Sequence, residues 1–124
     1  MAGLTFDTGA LIGLERKHQR IRKVFDTAVH DRITVTVPAV VIAEWWRGAD
    51  AQRDVILRMI NIELMDAVLG KLAGAALAEV RGATTFDAII MASAARRGDV
   101  VYTSDIDDLA KLQRFFPNVR VFHA

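Results

Sequence analysis

Cysteine is absent from the 124 residues. That absence removes disulfides, thiol nucleophiles and thiolate metal sites together, and it is compatible with a reducing compartment. Long apolar runs are also missing: the longest, such as residues 37–43, are too short to cross a bilayer and include Pro38. No basic N-terminal segment leads into an apolar one, so the expectation is a protein without a signal peptide, working in the cytoplasm. Neither charge sign prevails, because 16 Lys and Arg stand against 15 Asp and Glu for a formal net charge of +1. No global field therefore argues for a nucleic-acid partner. There is no G-x-S-x-G elbow, Walker A loop or G-x-G-x-x-G turn, which leaves serine-nucleophile and common nucleotide-binding schemes without support. The three histidines sit in a basic run (His18), a turn (His30) and the tail (His123), and none is placed as a metal ligand. Internal repeats and low-complexity segments are absent too.

What the chain does have is apolar bulk. Hydrophobic residues make up 52% of it, enough for a real core, and one compact domain over residues 1–124 is expected. Strand-like and helix-like segments alternate. Residues 3–6, 33–37, 62–65, 100–103 and 119–122 read as short strands. Residues 8–15, 19–29, 39–47, 51–60, 68–80, 85–97 and 106–116 read as helices, with Thr8 suited to cap the first, Pro38 to open the third and Gly98 to end the sixth. This alternation predicts an α/β protein with a parallel sheet covered on both faces. In such sheets ligands bind beyond the carboxyl ends of the strands.

Acidic residues occupy those ends. Leu4-Thr5-Phe6 runs into Asp7, and Val100-Val101-Tyr102-Thr103-Ser104 runs into Asp105, with Asp107 and Asp108 close behind. Glu44 and Asp87 each interrupt an otherwise apolar helical face. Each has a plain structural explanation on its own. Asp7 and Asp105 suit helix N-caps, Glu44 shares a face with Arg47 and suits an ion pair, and Asp87 suits a first helical turn. One shared site accounts for all four together. Carboxylates gathered at one sheet edge repel one another, and a divalent cation relieves that repulsion. With oxygen ligands and no cysteine, the ion expected is hard, Mg2+ or Mn2+. Such a centre can activate water against a phosphodiester.

At this point the sequence resembles a known family. Thr5-Phe6-Asp7-Thr8, the run from Pro38 to Gly48 around Glu44, the run from Phe86 to Ala94 around Asp87, and the run from Val101 to Leu109 around Asp105 resemble the PIN-domain proteins. The small size and motif order are similar to VapC-type toxins of bacterial toxin–antitoxin pairs. The resemblance spans essentially the whole chain. It implies a three-layer α/β/α sandwich with a central parallel sheet and a Mg2+- or Mn2+-dependent endoribonuclease. It further implies a homodimer held in check by a VapB-type antitoxin. The family's acidic quartet falls on Asp7, Glu44, Asp87 and Asp105, as catalytic residues and metal ligands. Asp108 matches a further acid, and Thr103 matches a hydroxyl residue that supports the final one. The Trp45-Trp46 pair is bulkier than its position requires, and residues 70–84 carry no family signature.

The basic run around Arg16, Lys17, Arg20, Arg22 and Lys23 has two readings: the solvated face of a helix, or an RNA-contacting edge. One of Trp45 and Trp46 is expected in the core and the other at a partner surface, with both in the core the alternative. Met59, Met65 and Met91 suit core filling, Phe115-Phe116 suits a core helix end, and Arg96-Arg97 suits a helix C-terminus. Two other function classes stand beside the ribonuclease: a receiver-type phospho-acceptor domain and a catalytically silent PIN-like binding scaffold. A receiver needs an acidic pair at the first strand and a lysine after the last, where this chain has a single Asp7 and ends Phe122-His123-Ala124. A dehalogenase-type phosphatase needs Asp-x-Asp, and Gly9 fills the second position.

Overall fold

The computed structural model describes residues 2–124. Five strands form one parallel sheet: β1 (Leu4–Phe6), β2 (Val35–Pro38), β3 (Asn61–Glu63), β4 (Val100–Thr103) and β5 (Val121–His123). Their spatial order is β3-β2-β1-β4-β5, so β1 is central and the chain crosses from one half of the sheet to the other between β3 and β4. The register pairs Thr5 with both Thr36 and Val101, and Phe6 with Tyr102. Helices fill the crossovers, as parallel connections require: α1 (Thr8–Glu15), α2 (Gln19–His30), α3 (Ala39–Trp45), α4 (Ala51–Met59), α5 (Ala67–Glu79), α6 (Thr85–Arg97) and α7 (Ile106–Ala110). The α/β fold with a parallel sheet, expected from the alternation, is the fold observed.

Side chains alternate across the sheet, and the two faces are built differently. Phe6 is fully buried and meets Phe25 of α2 with ring centres 6.2 Å apart. On the other face Thr5 turns toward α6, where residues Ala88 to Ala94 are buried without a break. Phe6, Leu11, Ile21, Val37, Met91 and Val101 are wholly inaccessible. Each contributes roughly 1.5–3 kcal/mol of burial free energy against an unfolded reference.

Beneath α6 lies a partly buried polar network that the helix-end reading of Arg96-Arg97 did not anticipate. Arg97 donates to Asp99 (2.9 Å), Glu63 (2.7 Å), Thr5 (2.7 Å) and Ser93 (2.9 Å). Asp99 also accepts from the Thr5 hydroxyl and the Gly3 amide, both at 2.8 Å. A guanidinium has five donors in a fixed fork, and three buried partners and the half-buried Glu63 use that geometry. Arg96 instead pairs at the surface with Asp66, the N-cap of α5. This contact sets the start of α5 beside the end of α6.

Several boundaries differ from the sequence expectation for physical reasons. β2 begins at Val35 because Arg32 has a φ of 58° and the Ile33 amide bonds back to the Ala28 carbonyl, closing α2. The cap of α1 is Asp7, not Thr8. Helix α3 stops at Trp45, since Trp46 has extended backbone angles. The segment expected as one helix over 106–116 breaks into α7 and a 3-10 turn, Lys111–Arg114. Trp45 is buried and donates to Glu15 at 3.0 Å, while Trp46 is half-buried against it. Met91 fills the core as expected, but Met59 and Met65 are 44% and 45% exposed. Phe116 is a core residue.

Candidate functional site

The C-terminal edge of the sheet brings α1, α3, α6 and α7 together around the ends of β1 and β4. Asp7 follows β1 directly and caps α1, its Oδ1 accepting from the Ala10 amide at 2.8 Å. Its Oδ2 accepts from the hydroxyl of Thr103, the last residue of neighbouring β4. The same hydroxyl accepts from the Asp105 amide at 2.9 Å, so one buried threonine joins the two strand-end acids. Asp105 caps α7, accepting from the Asp108 amide at 3.4 Å. The N-cap explanations for Asp7 and Asp105 therefore hold, yet neither role exhausts the group. A carboxylate offers about four acceptor sites, and the two bonds to Asp7 leave one on each oxygen.

Glu44 lies near the end of α3 and its Oε1 accepts from the Thr8 hydroxyl, the residue next to Asp7. The expected partner Arg47 is turned away, donating to the Trp46 carbonyl at 2.7 Å and weakly to that of Ala43. Asp87 sits half-buried in the first turn of α6, which Thr84 caps by accepting from the Asp87 amide at 3.2 Å. Gly9 permits the close fit between α1 and the loop after β4. A Cβ there would lie 1.8 Å from Ser104 Oγ and 2.7 Å from its Cβ.

The electrostatics tie these acids together. Burial, opposed by the bonds from Thr103 and Ala10, raises the Asp7 carboxyl above its ordinary value, and the charges of Asp87 and Glu44 push the same way. Burial likewise raises Asp87, to which Asp108, Asp105 and Glu44 add repulsion. Asp105 is raised mainly by its side-chain hydrogen bond with Asp108, whereas that bond and Lys111 lower Asp108. Among the described residues, no Lys, Arg or His is within ion-pair distance of Asp7, Glu44, Asp87 or Asp105; only Asp108 has such a partner, Lys111 at 3.4 Å.

The donor set suits a hard divalent cation, being all oxygen. As the side chains stand, no three His, Cys, Asp or Glu among the described residues are close enough to hold an ion together. Mg2+ is commonly held by only one or two protein carboxylates, with water and phosphate oxygens completing the shell.

The basic run lies elsewhere. Arg16, Lys17, Arg20, Arg22 and Lys23 are exposed. They follow α1, whose eight residues carry the chain about 12 Å from Asp7. Lys17 and Arg22 instead rim an apolar groove between α1, α2 and α4, of about 500 Å3, floored by Leu14, Phe25 and Ile56. Sequence reasoning read Thr8 as a helix cap and not as a support for Glu44, and it left Thr84, which caps the helix of Asp87, in a loop. The signal for both was a threonine near an acid of the quartet.

Fold and strand-end acids define a class, and comparison with known proteins gives it a name. The PIN domain family profile matches residues 4–114. The chain belongs to the PIN-domain family. No curated protein matches it significantly in sequence. Among solved structures it is similar to a chain of DNA-bound VapBC from Salmonella typhimurium, at 17% identity over 99% of this chain and 98% of that one, with a TM-score of 0.76. A chain of VapBC2 from Rickettsia felis, bound to a promoter DNA fragment, matches at 15% identity and a TM-score of 0.78, over 98% of each. FitAcB from Neisseria gonorrhoeae matches at 18% identity and 0.67, over 96% of each. At such identities the likeness speaks for the fold.

Proposed function

We propose that this chain is a Mg2+- or Mn2+-dependent endoribonuclease and the toxin of a toxin–antitoxin pair. The observation that carries the reading is the unrelieved charge at the sheet edge. Asp7 is 8% exposed, its ionisation is opposed by burial, Asp87 and Glu44, and no basic side chain among the described residues compensates it or Glu44, Asp87 and Asp105. A purely structural cluster of this kind is a cost without return. Asp7, Glu44, Asp87 and Asp105 would hold the metal, with Asp108 as a further member. A bound divalent ion would supply charge neutralisation for the phosphate and a water more readily deprotonated. The chain's own part is positioning. Thr103 fixes the Asp7 carboxylate and the Asp105 amide with one hydroxyl, Thr8 holds Glu44, and the capped first turn of α6 holds Asp87.

A polypeptide partner is in keeping with the neighbours in fold, which are chains of VapBC and FitAcB structures. The apolar groove beside α4 supports a polypeptide partner, since Val55 and Met59 on its rim are 45% and 44% exposed. A VapB-type antitoxin segment would cover it, and the toxin would act as a homodimer. No helix among the described residues is long and apolar enough to cross a membrane, and the site of action in this reading is the cytoplasm.

The test is the partner-free protein on a panel of structured RNAs with chelator, Mg2+ or Mn2+. Cleavage is expected with either metal, and its loss in chelator and in Asp7→Asn. Undiminished cleavage in chelator overturns the mechanism. An intact RNA panel in Mn2+, with the partner still bound through the groove, favours the silent scaffold.

A further inference from the structure

Glu15 closes α1 with both carboxylate oxygens in use. Its Oε1 accepts from the Trp45 indole at 3.0 Å and its Oε2 from Arg53 at 2.8 Å. The Arg53 and Glu15 side chains are only 19% and 22% exposed. Arg53 also donates to the Gly48 carbonyl at 3.0 Å and pairs at 2.9 Å with Asp50, the N-cap of α4. One carboxylate thus clasps the ends of α1 and α3 to the start of α4.

The α3 side of this clasp leads to the acidic edge. Glu44 and Trp45 are the last two residues of α3. Glu44 is bonded by Thr8 at the start of α1, and Trp45 by Glu15 at its end. Seven residues separate Thr8 from Glu15, which puts both on one face of α1, about 10 Å apart. Adjacent residues of α3 point about 100° apart, so its last turn cannot rotate without straining one of the two bonds. The α4 side leads to the groove. Leu14 and Gln52, the chain neighbours of Glu15 and Arg53, line it together with Val55 and Met59. Arg53 Nε is buried without an acceptor among the described residues. The guanidinium is therefore under-satisfied where it sits, which lowers the cost of re-seating it.

We propose that Glu15 is a positioning residue that couples the groove to the acidic edge: an occupant of the groove shifts α4 and Arg53, and Glu15 passes the shift through Trp45 to Glu44. The coupling rests on the reading above of Glu44 as a metal ligand and of the groove as the partner's seat. Both bonds to Glu15 are made in the arrangement described, so an occupant that re-seats Arg53 loosens Glu44 and lowers metal affinity. By linkage, metal weakens the occupant by the same factor. A partner confined to the groove would then silence the edge without reaching it.

The lack of cysteine allows a surrogate occupant to be tethered at one place. Val55→Cys, at a rim position 45% exposed, is labelled with N-benzylmaleimide, and Mn2+ binding is read by EPR of the free ion, with no RNA present. Labelling should raise the Mn2+ Kd by about fivefold or more, the lower end of ordinary allosteric coupling. Glu15→Gln has one acceptor oxygen where the carboxylate has two, so it serves Trp45 or Arg53 but not both. Trp45→Phe keeps a ring and drops the N–H. In either background the label should leave the Kd unmoved. Both tryptophans of the chain lie at the clasp, so their emission should shift on labelling, and the shift should vanish in Glu15→Gln. Melting curves in chelator separate these effects from loss of fold, and Met59→Cys is the second tether where labelled Val55→Cys melts low. A label that leaves the Kd unmoved in otherwise wild-type protein, or raises it equally in Glu15→Gln, overturns the coupling. Wild type that takes up no Mn2+ overturns the metal reading of Glu44 and the coupling together. RNA left intact by a protein whose Mn2+ affinity follows the label overturns the nuclease reading alone.

Discussion

Thr103 shows how much a single hydroxyl carries in this fold. It donates to Asp7, accepts from the Asp105 amide, and is itself fully buried. Thr103→Val keeps the shape and removes both bonds. The Asp105 amide would lose its partner, and Asp7 would lose a bond that lowers its carboxyl toward the ordinary range. Each buried polar group left unsatisfied costs about 1–3 kcal/mol. Urea unfolding should therefore place the variant lower by about that amount, with Thr103→Ser close to wild type. A Val variant as stable as wild type would mean that Asp7 and Asp105 find other partners. The hydroxyl was legible in the sequence as a support for the final acid. Its second bond, to Asp7, was not, because strands β1 and β4 become neighbours only through the 3-2-1-4-5 order. Glu44 gives the converse lesson. Helical spacing offered Arg47 as its partner, and the early end of α3 at Trp45 removed that option, leaving Thr8 from another helix.

At the scale of elements, α6 links the sheet edge to the far end of the strands. Asp87 lies in its first turn and Arg97 in its last, where the guanidinium is held by Thr5, Glu63, Ser93 and Asp99. Thr5 is two residues before Asp7, so this latch fixes the axial position of α6 against the strand that bears Asp7. Arg97→Met leaves Asp99, whose side chain is 3% exposed, without its cation. Breaking a buried pair from one side typically costs about 3–5 kcal/mol. Arg96→Met removes only a surface contact to Asp66 and should cost far less. Chemical denaturation of the two variants side by side checks this, and equal costs would demote the latch to a surface feature. The positions of the main strands and helices were legible because hydrophobic periodicity and the Gly98 cap are local signals. The latch joins Thr5 to Arg97 across |i−j| = 92, and pairing at that separation leaves no trace in a window of sequence. The same holds for Met59 and Met65, whose apolarity suggested core while the packing of α4 and β3 leaves them outside.

For the whole molecule the question is what the uncompensated edge does to stability. Net charge is +1, so the balance is local rather than global. Asp7 and Asp87 have raised folded-state values, the ordinary unfolded value being 3.8. At a pH below that value both groups are protonated, folded or not, and their full contribution to stability is present. As pH rises through the raised values, the fold must accept charge where it is disfavoured, and the contribution is lost. Asp87→Asn keeps the shape and removes that charge. In chelator near neutral pH the variant should melt no lower than wild type, and any advantage should shrink as the pH is lowered toward the ordinary carboxyl range. Metal bound only by the folded state stabilises it by mass action, by roughly 2.7 kcal/mol when free metal is a hundred times its dissociation constant. The Asn variant should lose most of that increment, and its ribonuclease activity should fall with it. Four melting curves, wild type and Asp87→Asn each with and without Mn2+, read both effects. If the variant is instead several kcal/mol less stable in chelator and keeps its metal increment, Asp87 is a structural residue of the α6 first turn. The centre would then be rebuilt on Asp7, Glu44 and Asp105, with Asp108, already hydrogen-bonded to Asp105, as the fourth member.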